Sequence, residues 1–287
     1  MCTASDFALP ILPLEQSSHE DAAGIVGAAE GAFLMRAPPL AWPPPSTEAL
    51  LADGAVLSHD VLSVQTAARA LAHCEQKLDA ANAAMATGSA SERAYFGPVL
   101  ARHSRRDMRL ALEPALTAAL TEAASTIGPM LREVLDCADP FLAECGALMS
   151  TDGAPRQPLH ADTHRSAAPV LLTAFIALQD IDEEMGPTTF LPATHEDESA
   201  HAALRSPEEK AALLARGRRV GTMPAGACTL YDSRLIHAGG ANRSPRARWL
   251  LYAGWCPSRS MARELRGEMF AELQSRVPTL SDFVPRA

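Results

Sequence analysis

Helical and strand patterns are segregated along this chain, and that segregation limits the fold more than any other feature. The stretches rich in Ala and Leu and free of interior Gly and Pro come early. "STEALLADG" (46–54) predicts a short helix opened by a capping Ser46 or Thr47 and closed at Gly54. "VLSVQTAARALAHCEQKLDAANAAMATG" (61–88) predicts a long one ending at Gly88. "EPALTAALTEAASTIGPMLREVLDC" (113–137) predicts one helix, or two broken near Gly128-Pro129. The five prolines between Pro38 and Pro45 mark loop or extended chain before them.

After Cys145 the pattern changes. "APVLLTAFIALQDI" (168–181), "GPTTFLPATH" (186–195), "RRVGTMPAGACTLYDSRLIHAGGANRS" (218–244) and "RARWLLYAGWCP" (246–257) are apolar, strand-like runs punctuated by Gly and Pro. "SPEEKAALLARG" (206–217) reads as a capped helix inserted among them, and "SRSMARELRGEMFAELQSRV" (258–277) as a C-terminal helix. Runs of helices followed by runs of strands indicate the α+β class. The expected organisation is a single domain, with a mainly helical part over 1–140, a strand-rich core over 145–257, and a helix and tail over 258–287.

Composition removes several function classes. With 47% hydrophobic residues in 287, the chain can bury a sizeable core. A net charge of −9 makes it a poor general ligand for nucleic acid. No apolar run reaches the roughly 18 residues that a membrane helix needs, and the N-terminus lacks the basic region of a signal peptide. The six cysteines are scattered without a CxxC pair, which suits reduced thiols in a cytoplasmic protein. The GxGxxG, GxxxxGK[ST] and GxSxG signatures are absent from the sequence.

Chemistry is concentrated in "PLHADTH" (158–164). In extended chain, residues i and i+2 share a face, so His160 and Asp162 can offer a nitrogen and an oxygen to one ion. A third ligand has to come from another strand. His237 is the best candidate, since it follows a strand and precedes Gly239-Gly240. Two imidazoles and one carboxylate leave coordination positions open, as Fe(II) oxygen chemistry requires. Arg248 follows His237 by 11 residues at the start of a strand, and its planar fork matches a cosubstrate carboxylate.

Taken together, "PLHADTH", "GPTTFLPATH" and "LYDSRLIHAGGANRSPRAR" resemble the phytanoyl-CoA dioxygenase family. HxD, a Pro-x-x-His segment after a glycine, a distal His and an Arg about 11 residues on all follow the family's order. The resemblance covers roughly residues 145 to 257. It implies a double-stranded β-helix, or jelly-roll, core with flanking helices. It also implies iron ligation by His160, Asp162 and His237, 2-oxoglutarate held by Arg248, O2 as the second cosubstrate, and a small-molecule substrate oxidised with release of succinate and CO2. Halogenating relatives carry a small residue in place of the aspartate, so Asp162 points to hydroxylation or another oxidation.

Other residues near the motifs have two readings. Gln157 reaches the cosubstrate or substrate, or lies at the surface. Thr173 and Phe175 share one face of their strand by period 2; if that face points inward they line the cosubstrate pocket, as the resemblance implies, and otherwise they pack beneath helices. Leu250 and Tyr252 share parity with Arg248 and wall the same pocket or fill core. His164 and His195 read as loop residues ahead of donors behind the metal, and Asn242 as a turn former. Two rival functions are a metal-binding jelly roll that is not an oxygenase, and a protein-modifying hydroxylase with the helical part as its docking surface.

Overall fold

Ser46 caps the first helix by accepting a hydrogen bond from Ala49 N, and Gly54 closes that helix in the left-handed region at φ 78°. The computed structural model describes residues 38–163, 171–265 and 276–284. In chain order the elements are α1 (Thr47–Asp53), β1 (Ala55–Ser58), α2 (Val64–Ala86), β2 (Phe96–Gly97), β3 (Arg105–Arg109), α3 (Pro114–Val134), β4 (Phe141–Ser150), β5 (Leu172–Ala177), β6 (Thr189–Phe190), α4 (Glu198–Ala203), α5 (Pro207–Leu214), β7 (Arg219–Val220), β8 (Cys228–Asp232), β9 (His237–Ala238), β10 (Arg248–Cys256) and α6 (Arg259–Leu265). His164 and the later part of the expected C-terminal helix lie outside the described residues.

Seven strands form an antiparallel sheet in the order β1-β8-β5-β10-β4-β3-β2, and a smaller sheet runs β7-β6-β9. Alternation along each strand sorts side chains to two faces. On the outer face Val56, Leu172, Ala174, Ile176, Leu230, Trp249, Leu251 and Trp255 join Ala67, Ala70, Cys74, Leu116, Leu120 and Leu131 of the long helices in one core. On the inner face Ala55, Leu57, Phe175, Ala177, Tyr231 and Leu250 pack against Phe190 of the small sheet and against Ile181, Met185 and Met223. Helices, large sheet and small sheet are therefore three layers, with the jelly-roll interior between the two sheets.

Two expectations need correction, and the choice left open over 113–137, one helix or two, resolves to one. The large sheet starts at Ala55, not near residue 145: β1, β2 and β3 come from the part read as mainly helical, and β4 begins at Phe141. These strands are short or strongly charged, and their place in the sheet comes from pairing: β1 with β8, β3 with β4, and β2 with β3. Helix α3 is continuous through Gly128-Pro129. An interior proline costs roughly 3 kcal/mol, and buried Ile127, Leu131 and Val134 hold the turn on either side. The helix expected to close at Gly217 ends at Leu214, preceded by the unforeseen α4. Five of the six cysteines lie among the described residues, and all five are free thiols.

Candidate metal and cosubstrate site

His160 and His237 meet across an antiparallel bridge at the edge of the small sheet. His160 N donates to His237 O at 3.0 Å and His237 N to His160 O at 2.8 Å. That pairing puts both side chains on one face, with ring centroids 4.4 Å apart. Each Nδ1 lies beside the carbonyl two residues earlier, Pro158 O at 2.9 Å and Leu235 O at 3.0 Å. A carbonyl only accepts, so both Nδ1 atoms carry the hydrogen and both Nε2 atoms offer lone pairs.

Asp162 supplies the oxygen. Its backbone N donates to Ser233 O at 2.8 Å, which fixes the segment beyond His160. Oδ1 sits 3.6 Å from Nε2 of each histidine, and the three donor atoms lie within 4.8 Å of one another. Tyr231 Oη donates to Oδ2 at 2.8 Å, so one carboxylate oxygen is oriented while the other stays open to an ion. Burial, then the neighbouring His237, pushes the His160 imidazole down to about 4, which keeps it neutral and ligating at neutral pH. Two imidazole nitrogens and a carboxylate oxygen on one point are the donor set of a divalent transition metal.

A second polar group lies on the inner face of the large sheet. Arg248 on β10 and Arg105 on β3 both pair in register with Ser150 on β4. The two guanidiniums are 3% and 2% exposed, so both charges are buried. Arg105 donates to the carbonyls of Ala101 at 2.8 Å and Pro155 at 2.9 Å, and Arg248 to that of Gly186. Nε of each arginine and the Ser150 hydroxyl have no partner. Burial, and for Arg248 then Arg105, lowers them to about 9 and about 10. Two adjacent buried cations without a carboxylate call for an anion. Gly239, two residues beyond His237, lets the chain pass this cradle: a Cβ there would lie 2.5 Å from Gln157 Oε1 and 3.6 Å from Arg248 Nη2.

Thr173 and Phe175 face the interior. The Phe175 ring stands 5.0 Å from Tyr231 and 6.5 Å from His237. Leu250 and Tyr252 share that face, and Tyr252 Oη donates to Asp107 Oδ1 at 2.9 Å. Gln157 does not join the site as a free amide: its Oε1 accepts from Gly239 N at 2.9 Å and its Nε2 donates to Leu100 O at 3.3 Å, so it braces the loop. His195 is buried against Leu51 O at 3.0 Å, away from the metal-ligand triad. Asn242 ties its turn together through Ser150 O, Arg246 O and Ser244 N. Arg105 and Tyr231 are the residues missed from the sequence. Tyr231 was discoverable as the phenol at the end of the apolar run that leads to His237, whereas nothing local marks Arg105.

A jelly roll whose two sheets enclose a His-Asp-His triad and a buried arginine pair is the architecture of a non-haem iron oxygenase that uses a dicarboxylate cosubstrate. The family model for phytanoyl-CoA dioxygenase matches residues 50–249, and the chain belongs to that family. The family is one of dioxygenases that use Fe(II), 2-oxoglutarate and O2. The chain is 33% identical over 122 residues to the dioxygenase trt7 of Aspergillus terreus (strain NIH 2624 / FGSC A1156), an alignment covering 39% of this chain and 40% of that protein. The α-ketoglutarate-dependent epimerase SnoN from nogalamycin biosynthesis has a similar fold, with TM-score 0.59 at 20% identity over 87% of this chain and 98% of SnoN. AviO1 from Streptomyces viridochromogenes Tue57 is similar at TM-score 0.54 and 18% identity, covering 75% of this chain and 94% of that one. Among the described residues no helix is long and apolar enough to cross a membrane.

Proposed function

We propose that this dioxygenase hydroxylates a small organic substrate held between the two sheets, with His160, Asp162 and His237 as the iron ligands and Arg248, assisted by Arg105, holding the cosubstrate. The observation that carries this reading is the convergence of both Nε2 lone pairs and Asp162 Oδ1 within 4.8 Å. When bound, iron and 2-oxoglutarate supply an oxidant able to attack a C–H bond, with succinate and CO2 as products. The residues of the chain supply the geometry. The carbonyls of Pro158 and Leu235 hold the imidazole tautomers, and Tyr231 aims the carboxylate. Arg248 and Arg105 offer two fixed cations to the far carboxylate of the cosubstrate, with Ser150 between them. Phe175, Tyr231 and Phe190 surround His237 with aromatic surface, which excludes water from the reacting centre.

The test is anaerobic titration with Fe(II) and 2-oxoglutarate, followed by oxygen exposure. A weak metal-to-ligand charge-transfer band and succinate formation are expected, and an undiminished band in both His160→Ala and His237→Ala would show the ligand choice to be wrong. Mass spectrometry of the product separates hydroxylation, which adds one oxygen, from desaturation or epimerisation, which does not.

A further inference from the structure

The inner face of the large sheet carries an acidic side chain, Glu144, that the proposed chemistry leaves unused and that no side-chain partner among the described residues satisfies. Glu144 on β4 is in register with Gly254 on β10, which pairs with Thr173 on β5, which in turn pairs with Tyr231 on β8. Because Gly254 has no side chain, Glu144 lies across it: a Cβ at 254 would stand 2.4 Å from Glu144 Cγ and 2.8 Å from Oε1. The carboxyl is thereby aimed along the row toward Thr173 and Tyr231, the phenol that donates to Asp162. Burial, then Asp162, then Asp107, pushes the Glu144 carboxyl up to about 8, and no hydrogen bond offsets that cost.

A second group points to a ligand at the same place. Thr173 Oγ1, on a residue 2% exposed, is directed at the Tyr231 phenol and has no partner beyond it. The other acidic groups of the interior are committed, Asp162 to Tyr231 and the ligand triad, and Asp107 to Tyr252. The buried cations do not neutralise Glu144: Ser150, which marks their row, is six residues along β4, roughly 20 Å at about 3.3 Å per residue. Resting on the oxygenase reading, we infer that Glu144 is the specificity-determining residue of the substrate pocket and that it pairs with a protonated amine of the substrate, with the Thr173 hydroxyl as an adjoining polar contact. Held at about 8 by burial, the carboxyl gives up its proton when an ammonium arrives, and the ammonium supplies both the hydrogen-bond donors and the counter-charge; a hydroxyl supplies a donor without the charge, and an anionic ligand leaves the carboxyl in its protonated form.

The experiment uses three probes of one skeleton: aminomethylcyclohexane, cyclohexylmethanol and cyclohexanecarboxylate. Each is titrated into the full chain by calorimetry and, in parallel, into the anaerobic Fe(II)–2-oxoglutarate complex while the charge-transfer band is followed. The amine should bind ~10-fold or more tightly than either isostere. Glu144→Gln, which keeps the shape, should erase that preference, and Glu144→Lys should transfer it to the carboxylate. Equal binding of amine and alcohol, no calorimetric binding of the amine, or an amine preference that survives in E144Q overturns the inference. A missing charge-transfer band with the calorimetric preference intact counts against the oxygenase reading instead, so the two failures are distinguishable.

Discussion

The two faces of the seven-stranded sheet use the same strands for opposite ends. Along β10, Trp249, Leu251, Ala253 and Trp255 point to the helices and are apolar, while Arg248, Leu250, Tyr252 and Gly254 point to the interior and are mostly polar or small. The outer face buries hydrocarbon against α2 and α3, and its contribution is stability. The inner face holds two buried arginines and several buried polar atoms without partners, which are unfavourable unless a ligand completes them. A single alternating strand thus divides folding from function by parity, and substitutions one residue apart should have different consequences.

The sharpest break comes from the ligand triad. His237→Ala should reduce succinate formation to background and remove the charge-transfer band, while circular dichroism stays native. Trp255→Ala, on the outer face, should do the reverse: a loss of about 3–5 kcal/mol in urea unfolding, with Fe(II) affinity retained in the folded fraction. The pH dependence of the metal-free protein follows from His160. Its pKa in the folded chain, about 4, lies below the ordinary 6.5, so the unfolded chain takes up this proton first. Stability is full above 6.5 and falls as pH drops through 4, by about 3 kcal/mol in all. Saturating Zn(II), which binds only the neutral imidazole, should raise the melting temperature, steepen that slope and carry it below pH 4. Arg248→Lys keeps a charge but loses the planar fork, and should raise the KM for 2-oxoglutarate about 100-fold with little change in melting temperature. The smallest effect is expected for Tyr231→Phe, which removes the donor to Asp162 and should weaken Fe(II) binding about 10-fold. Unchanged affinity there would mean that the phenol serves packing alone.

Much of the candidate ligand set was legible because it is local or ordered along the chain. His160 and Asp162 are two residues apart, and Arg248 opens an unmistakable apolar strand. Gln157 was legible as a neighbour but not in its role, since only the fold shows that Gly239 N and Leu100 O use up its amide. Strands β1 and β3 were hidden for a related reason. "RRDMR" looks like surface, and it becomes a strand only because β4 offers it a ladder; β-propensity depends on the neighbour more than on the residue.

From the sequence alone came the α+β class, the long helices with their caps, the alternating runs, and the candidate triad with its arginine, because helix propensity, capping and period-2 alternation act over a few residues. Tertiary structure decided which face of each strand meets the interior, that Arg105 stands with Arg248 across Ser150, and that Glu144 lies over Gly254. Those facts depend on register between strands far apart in the chain, and register is set by packing the whole sheet at once.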